Sequence, residues 1–160
     1  MSDRKQAILH TLAQARIKLM GVLHQLQADD WEKTVQDGDS KWTVRQMVIH
    51  LVDAQKGMTG QMTTINGGQE AIPEDFDLDR WNKRAVEKNA DKTPQDLMTA
   101  LHEGRAKLIS FVNGLSDADL DKKGRHSSLE VMTIEQIATL IGTHEAEHAQ
   151  IIAESLGLKV

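Results

Sequence analysis

Ile134, Ile137, Ile141, Ile151 and Ile152 recur at helical spacing between Thr133 and Leu156, with mostly polar residues between them. At roughly 100° per residue they form one apolar stripe of a long helix, and His144 and His148 fall in the middle of that stripe. Thr133-x-x-Gln136 has the form of a capping box at its start. Toward the N-terminus, Ile8, Leu12, Ala15, Leu19, Leu23 and Leu26 predict a first long helix over Lys5–Leu26, with Arg4, Lys5, Arg16 and Lys18 largely off its apolar face. His10 and His24 lie on its far side and read as solvated. A polar, turn-rich connection, Asp29–Trp42, leads into a second capping box, Thr43-Val44-Arg45-Gln46. The helix that follows carries Val44, Met47, Val48, Leu51, Ala54, Met58 and Met62 as its stripe, with His50 at the edge, and ends at Asn66-Gly67-Gly68.

The second half continues in the same manner. Over Asp77–Asn89, Leu78, Asn82, Ala85 and Asn89 share one face of a shorter helix, with Trp81 beside them. Thr93-Pro94-Gln95-Asp96 starts another long helix, with Thr as N-cap, Pro at the first helical position and an acid in the first turn. Its stripe is Leu97, Leu101, Leu108, Phe111, Val112 and Leu115, with His102 outside it. Ser116–Leu120 is a short capped turn, and Lys122–Ser128 reads as a cationic loop, either solvated or an anion clamp. No stretch has the alternation of a strand. The expectation is an all-α fold, a four-helix bundle with short extra helices in the connections, in a single domain spanning 1–160.

Composition narrows the chemistry. Hydrophobic residues make up 39% of the 160 positions but aromatics only 3%, which suits helix-on-helix packing. The absence of Cys removes thiolate ligands, iron–sulfur clusters and a cysteine nucleophile. There is no apolar run of ~18 residues and no signal-like N-terminus, so a soluble cytoplasmic protein without a membrane role is expected. A formal charge of −5 with no basic run leads us to expect no nucleic-acid partner. Ile17 and Met20 on the first helix are candidates for a homodimer contact.

His144-Glu145-x-x-His148 admits three readings. It matches the zinc-protease pattern, with Glu145 as base, although only twelve residues follow His148 to supply a third ligand. It also admits two core histidines bonded to protein groups, a costly arrangement for two polar rings one turn apart. The third reading joins His50 to the pair as a three-nitrogen metal site with an open fourth position; on position alone His50 is ambiguous, because a partly buried His bonded to a carbonyl is equally compatible. Asn82 is either a satisfied packing group or a substrate contact. Glu145 and Glu147 read as carboxylates supporting the ligands or as surface residues.

Trp42-Thr43-Val44-Arg45-Gln46-Met47-Val48-Ile49-His50-Leu51, the pair Trp81-Asn82, and Thr133-Ile134-Glu135-Gln136 running into His144-x-x-x-His148 together resemble the DinB/YfiT-like metalloenzyme superfamily over nearly the whole chain. The resemblance implies a four-helix bundle of unusual connectivity, frequently dimeric, with a divalent ion, zinc or nickel, held by His50, His144 and His148. Some relatives use a low-molecular-weight thiol in S-transfer or isomerisation.

The functional expectation is a tri-histidine metalloenzyme, a thiol-dependent S-transferase or related transferase or hydrolase. A thiol cosubstrate held at the metal attacks a small electrophile, and Asn82, Arg125 and His126 are candidates to orient the reactants, with Glu145 a further catalytic candidate. The competing class is a non-enzymatic, stress-related protein whose metal is structural.

Overall fold

Four long helices carry the core: α1 (Asp3–Leu23), α2 (Val44–Asn66), α4 (Pro94–Gly114) and α6 (Ile134–Leu156). Short elements occupy the connections: a 3-10 helix at Ala28–Glu32, α3 (Leu78–Lys88) and α5 (Asp117–Leu120). The computed structural model describes all residues, Met1–Val160. In α2 and α6 both capping boxes close: Thr43 and Thr133 accept from the backbone N–H of Gln46 and Gln136, whose side chains accept in return. These reciprocal bonds satisfy two otherwise orphaned N–H groups per helix and fix where each begins.

The cationic loop differs from expectation. Lys123–Arg125 (β1) and Val131–Thr133 (β2) form an antiparallel hairpin, with Lys123 opposite Thr133 and Arg125 opposite Val131. Strands of three residues are too short for alternation to register in the sequence. On α1, Ile17 is exposed, but Met20 packs against the core, so the expected apolar surface stripe shrinks to one residue.

α1 and α6 approach closely because the seam is built from small residues. Ala15, Ala138, Gly142, Ala149 and Ala153 are buried, and a Cβ at Gly142 would meet Thr11 Cγ2 at 2.8 Å and its carbonyl oxygen at 3.3 Å. This rotates the buried arc of α6 away from the centre that its isoleucines suggest. Glu145, not His144 or His148, sits at the middle of the buried face, between Ile141 and Ala149.

The core is divided by a polar layer. One apolar cluster includes Leu19, Leu51, Leu101 and Ala149, and the other includes Leu12, Met58, Leu108 and Ile141. Between them each long helix contributes one polar side chain: Arg16 from α1, Gln55 from α2, Arg105 from α4 and Glu145 from α6. Arg16 places Nη2 2.9 Å from Glu145 Oε1 and donates from Nη1 to the Leu101 carbonyl at 3.0 Å. Arg105 donates to Gln55 Oε1 at 2.8 Å and to the Leu12 carbonyl at 2.6 Å. Its Nη2 lies 3.0 Å from Glu145 Oε2, an ion-pair distance at an angle too poor for a hydrogen bond. Gln55 is seated against Gly104, where a Cβ would lie 2.5 Å from its Nε2.

Candidate metal centre

α2 and α6 bring three imidazoles together. The ring nitrogens of His50, His144 and His148 offer one ligand atom each, all within 4.8 Å of one another. His50 is only 8% exposed and the other two are half-buried. Nε2 of His50 faces Nε2 of His144 at 3.1 Å, and the Trp42 ring covers His50 with centroids 5.3 Å apart. His148 donates from Nδ1 to the His144 carbonyl at 2.8 Å, one turn back along the helix. That bond fixes its tautomer and leaves the Nε2 lone pair free.

The donor set fits a divalent cation on two counts. Burial pushes the His50 pKa down to about 4, and burial together with His148 and His50 pushes that of His144 down to about 3, so both rings are neutral donors at ordinary pH. In addition, two nitrogens each ~2.05 Å from one ion at a tetrahedral angle stand ~3.3 Å apart, close to the 3.1 Å between His50 and His144.

A cleft of about 440 Å³ opens beside the rings, and His50 and His144 form part of its lining. Met58, Ile72, Pro73, Phe76, Leu78 and Trp81 make it largely apolar, while Asp53, Gln61, Asn82 and Ser127 supply polar groups. Asn82 is thus among the polar residues that line the cleft. Asp53, Gln61 and Ser127 went unremarked in the sequence; Asp53 was within reach, since it lies three residues from His50 on the same face of α2.

Three expectations need correction. Glu145 does not accompany the histidines: its carboxylate is enclosed between Arg16 and Arg105, both of which pair with it. A base tied up by two guanidinium groups is unavailable for catalysis, which also removes the protease reading of His144-Glu145-x-x-His148. Arg125 is likewise committed, to Glu70 and to the Ile72 carbonyl, with Glu74 3.4 Å away, and so pins the chain segment that forms one wall of the cleft instead of offering a free anion clamp. His126 is buried; the Ser128 backbone N–H donates to its Nδ1 at 3.1 Å, so the proton sits on Nε2, and burial lowers its pKa. Neither Arg125 nor His126 lines the cleft.

The DinB superfamily profile matches residues 11–152. The chain belongs to the DinB superfamily. No curated protein matches its sequence. Among solved structures, it is similar to YfiT from Bacillus subtilis, described as a probable metal-dependent hydrolase with an unusual four-helix bundle topology, at 20% identity and a TM-score of 0.77, covering 99% of this chain and 91% of that one. It is also similar to the mycothiol-dependent maleylpyruvate isomerase, at 15% identity and a TM-score of 0.68, covering 94% of this chain but only 61% of the longer isomerase. A third neighbour overturns one expectation. The colibactin self-resistance protein ClbS, at 13% identity and a TM-score of 0.79 over 98% of this chain and 97% of its own, was solved in complex with double-stranded DNA. A bundle of this fold does engage nucleic acid, so the absence of a basic run does not exclude such a partner. In this chain no helix is long and apolar enough to cross a membrane.

Proposed function

We propose that the chain is a divalent-metal enzyme in which His50, His144 and His148 hold zinc or nickel and a small molecule reacts in the adjoining cleft. The observation that carries this reading is the convergence of three ring nitrogens within 4.8 Å where two of the rings also line a cleft. When bound, such an ion supplies Lewis acidity and makes a water or a thiol acidic near neutral pH. The chain supplies the rest. His148 is held in one tautomer by the His144 carbonyl, so the donor geometry exists before binding. The wall beside the reacting groups is largely apolar, and Asn82 and Ser127 present amide and hydroxyl groups that orient a substrate.

With no Cys in the chain, the nucleophile is water or an external thiol. Both choices have precedent in the fold: YfiT is described as a probable metal-dependent hydrolase, and the isomerase depends on mycothiol. We favour thiol-dependent S-transfer to a small electrophile, with hydrolysis as the related outcome at the same site. A purely structural metal calls for a closed coordination sphere, whereas these rings border open volume. The test is turnover of model electrophiles by zinc- and nickel-loaded protein with mycothiol, bacillithiol, glutathione or no thiol. Rates above buffer that disappear in His144→Ala support the proposal; rates equal to buffer under every condition refute it.

A further inference from the structure

Asp53 is the one formally charged side chain in the lining of the cleft. It is half-buried, and its only hydrogen bond comes from the Trp81 indole N–H, 2.9 Å from Oδ2. Lys56 and Lys88 act on it at longer range, and neither forms an ion pair with it. A carboxylate has about four lone-pair sites, so most of its acceptor capacity is unused. Burial accordingly raises its pKa, the signature of an anion withdrawn from water without adequate compensation. Two aromatic rings lie alongside. Trp81 is 50% exposed, and Phe76 tilts against it with centroids 5.8 Å apart. An under-coordinated carboxylate beside aromatic faces is a combination that attracts organic cations, through charge and through the ring quadrupoles together. No Lys or Arg lines the cleft to attract an anion instead.

We propose that Asp53, Trp81 and Phe76 form a subsite for an ammonium group carried on a small, largely apolar ligand. The inference rests on the reading of this cleft as the substrate site and names the class of substrate it selects. Asp53 follows His50 by three residues on α2, a rise of ~4.5 Å along the helix. A ligand using both features therefore carries its amine within a few bonds of the group presented to the imidazoles. A ligand whose only charge is a carboxylate is disfavoured, because that group would face Asp53; a thiol or electrophile bearing an amine fits.

The test titrates full-length protein with phenethylamine and with 3-phenylpropionate, two probes of similar shape and opposite charge, by isothermal calorimetry. Wild type is expected to bind the amine about tenfold more tightly, and Asp53→Asn to collapse that preference to about twofold or less. Trp81→Leu, at a half-exposed position that tolerates substitution, is expected to weaken amine binding about threefold or more while the carboxylate remains. The proposal is overturned if wild type binds no amine, if it shows no preference, or if folded Asp53→Asn keeps the preference. If Asp53→Asn does not fold, unchanged amine binding in Trp81→Leu overturns it. Metal content of the wild-type sample separates this claim from the one before: wild type that holds metal but shows no preference refutes the subsite alone, and wild type that shows the preference but holds no metal after reconstitution refutes the metal reading alone.

Discussion

Two groups of polar side chains draw on α2 and α6, one a layer shared by all four long helices and the other a histidine cluster, and they differ in the partners that the chain supplies. In the central layer, Arg16, Gln55, Arg105 and Glu145 exchange ion pairs and hydrogen bonds with one another and donate to the Leu12 and Leu101 carbonyls, leaving Arg105 Nη2 with an ion-pair contact to Glu145 but no hydrogen bond. In the histidine cluster, two Nε2 atoms face each other, one tautomer is preset by a backbone carbonyl, and Nδ1 of His50 has no partner. The charges of the layer are paired within the chain. The cluster brings three ring nitrogens together with no charged partner in the chain, beside a cleft. Polarity in a helical core thus says little about function until its hydrogen bonds are traced to their ends.

The largest effect should come from breaking the charge-paired layer on one side. Glu145→Ala leaves two buried guanidinium groups facing each other without their anion, and we expect a loss of about 3–5 kcal/mol in denaturant unfolding. A loss below about 1 kcal/mol would mean that water reaches the layer and that the contrast is overstated.

An intermediate effect should appear in the histidine cluster as pH falls. In metal-free protein His50 and His144 titrate at about 4 and about 3, while in the unfolded chain they titrate near 6.5. Between these values the unfolded chain binds protons that the folded one does not, so stability is constant above about pH 6.5 and declines as pH drops toward 4. The decline should be weaker in His50→Ala plus His144→Ala, measured by urea unfolding across pH. An identical profile in that variant would place the sensitivity elsewhere.

The smallest effect should follow replacement of the whole layer by apolar residues of similar volume, Arg16→Met, Gln55→Met, Arg105→Met and Glu145→Leu together. With no charge left unpaired, we expect stability within about 2 kcal/mol of wild type, in sharp contrast to Glu145→Ala. Calorimetric unfolding checks this, and a failure to fold would show that the layer specifies the packing of the bundle as well as tolerating it.

Local signals were the readable ones. The Thr43 and Thr133 capping boxes and the Thr93-Pro94 start are written in three or four adjacent residues, and each helix begins where they place it. The polar layer was not readable, because each member is alone on its own helix. Gln55 and Arg105 look in sequence like any solvated side chain, and only the meeting of four helices shows otherwise. The orientation of α6 was misjudged for a related reason: Ala138, Gly142, Ala149 and Ala153 carry little hydrophobic signal, yet their smallness sets which face lies against α1. His144 and His148 stood out by their one-turn spacing, whereas His50, at the edge of its stripe, was ambiguous on position alone and was strengthened by the resemblance of the segment around it. Asp53 shares a helix face with His50, but spacing alone does not distinguish it from a solvated Asp; its meeting with the Trp81 indole does.

The central claim is that the histidine cluster holds a metal ion. The most direct test is metal content by mass spectrometry on tag-free protein, wild type beside His50→Ala and His144→Ala, with Glu145→Gln as a control outside the ligand set. We predict close to one equivalent of zinc or nickel in wild type, loss of metal in both histidine variants, and retention in Glu145→Gln. Wild-type protein that stays metal-free after reconstitution, or histidine variants that keep their metal, would contradict the account.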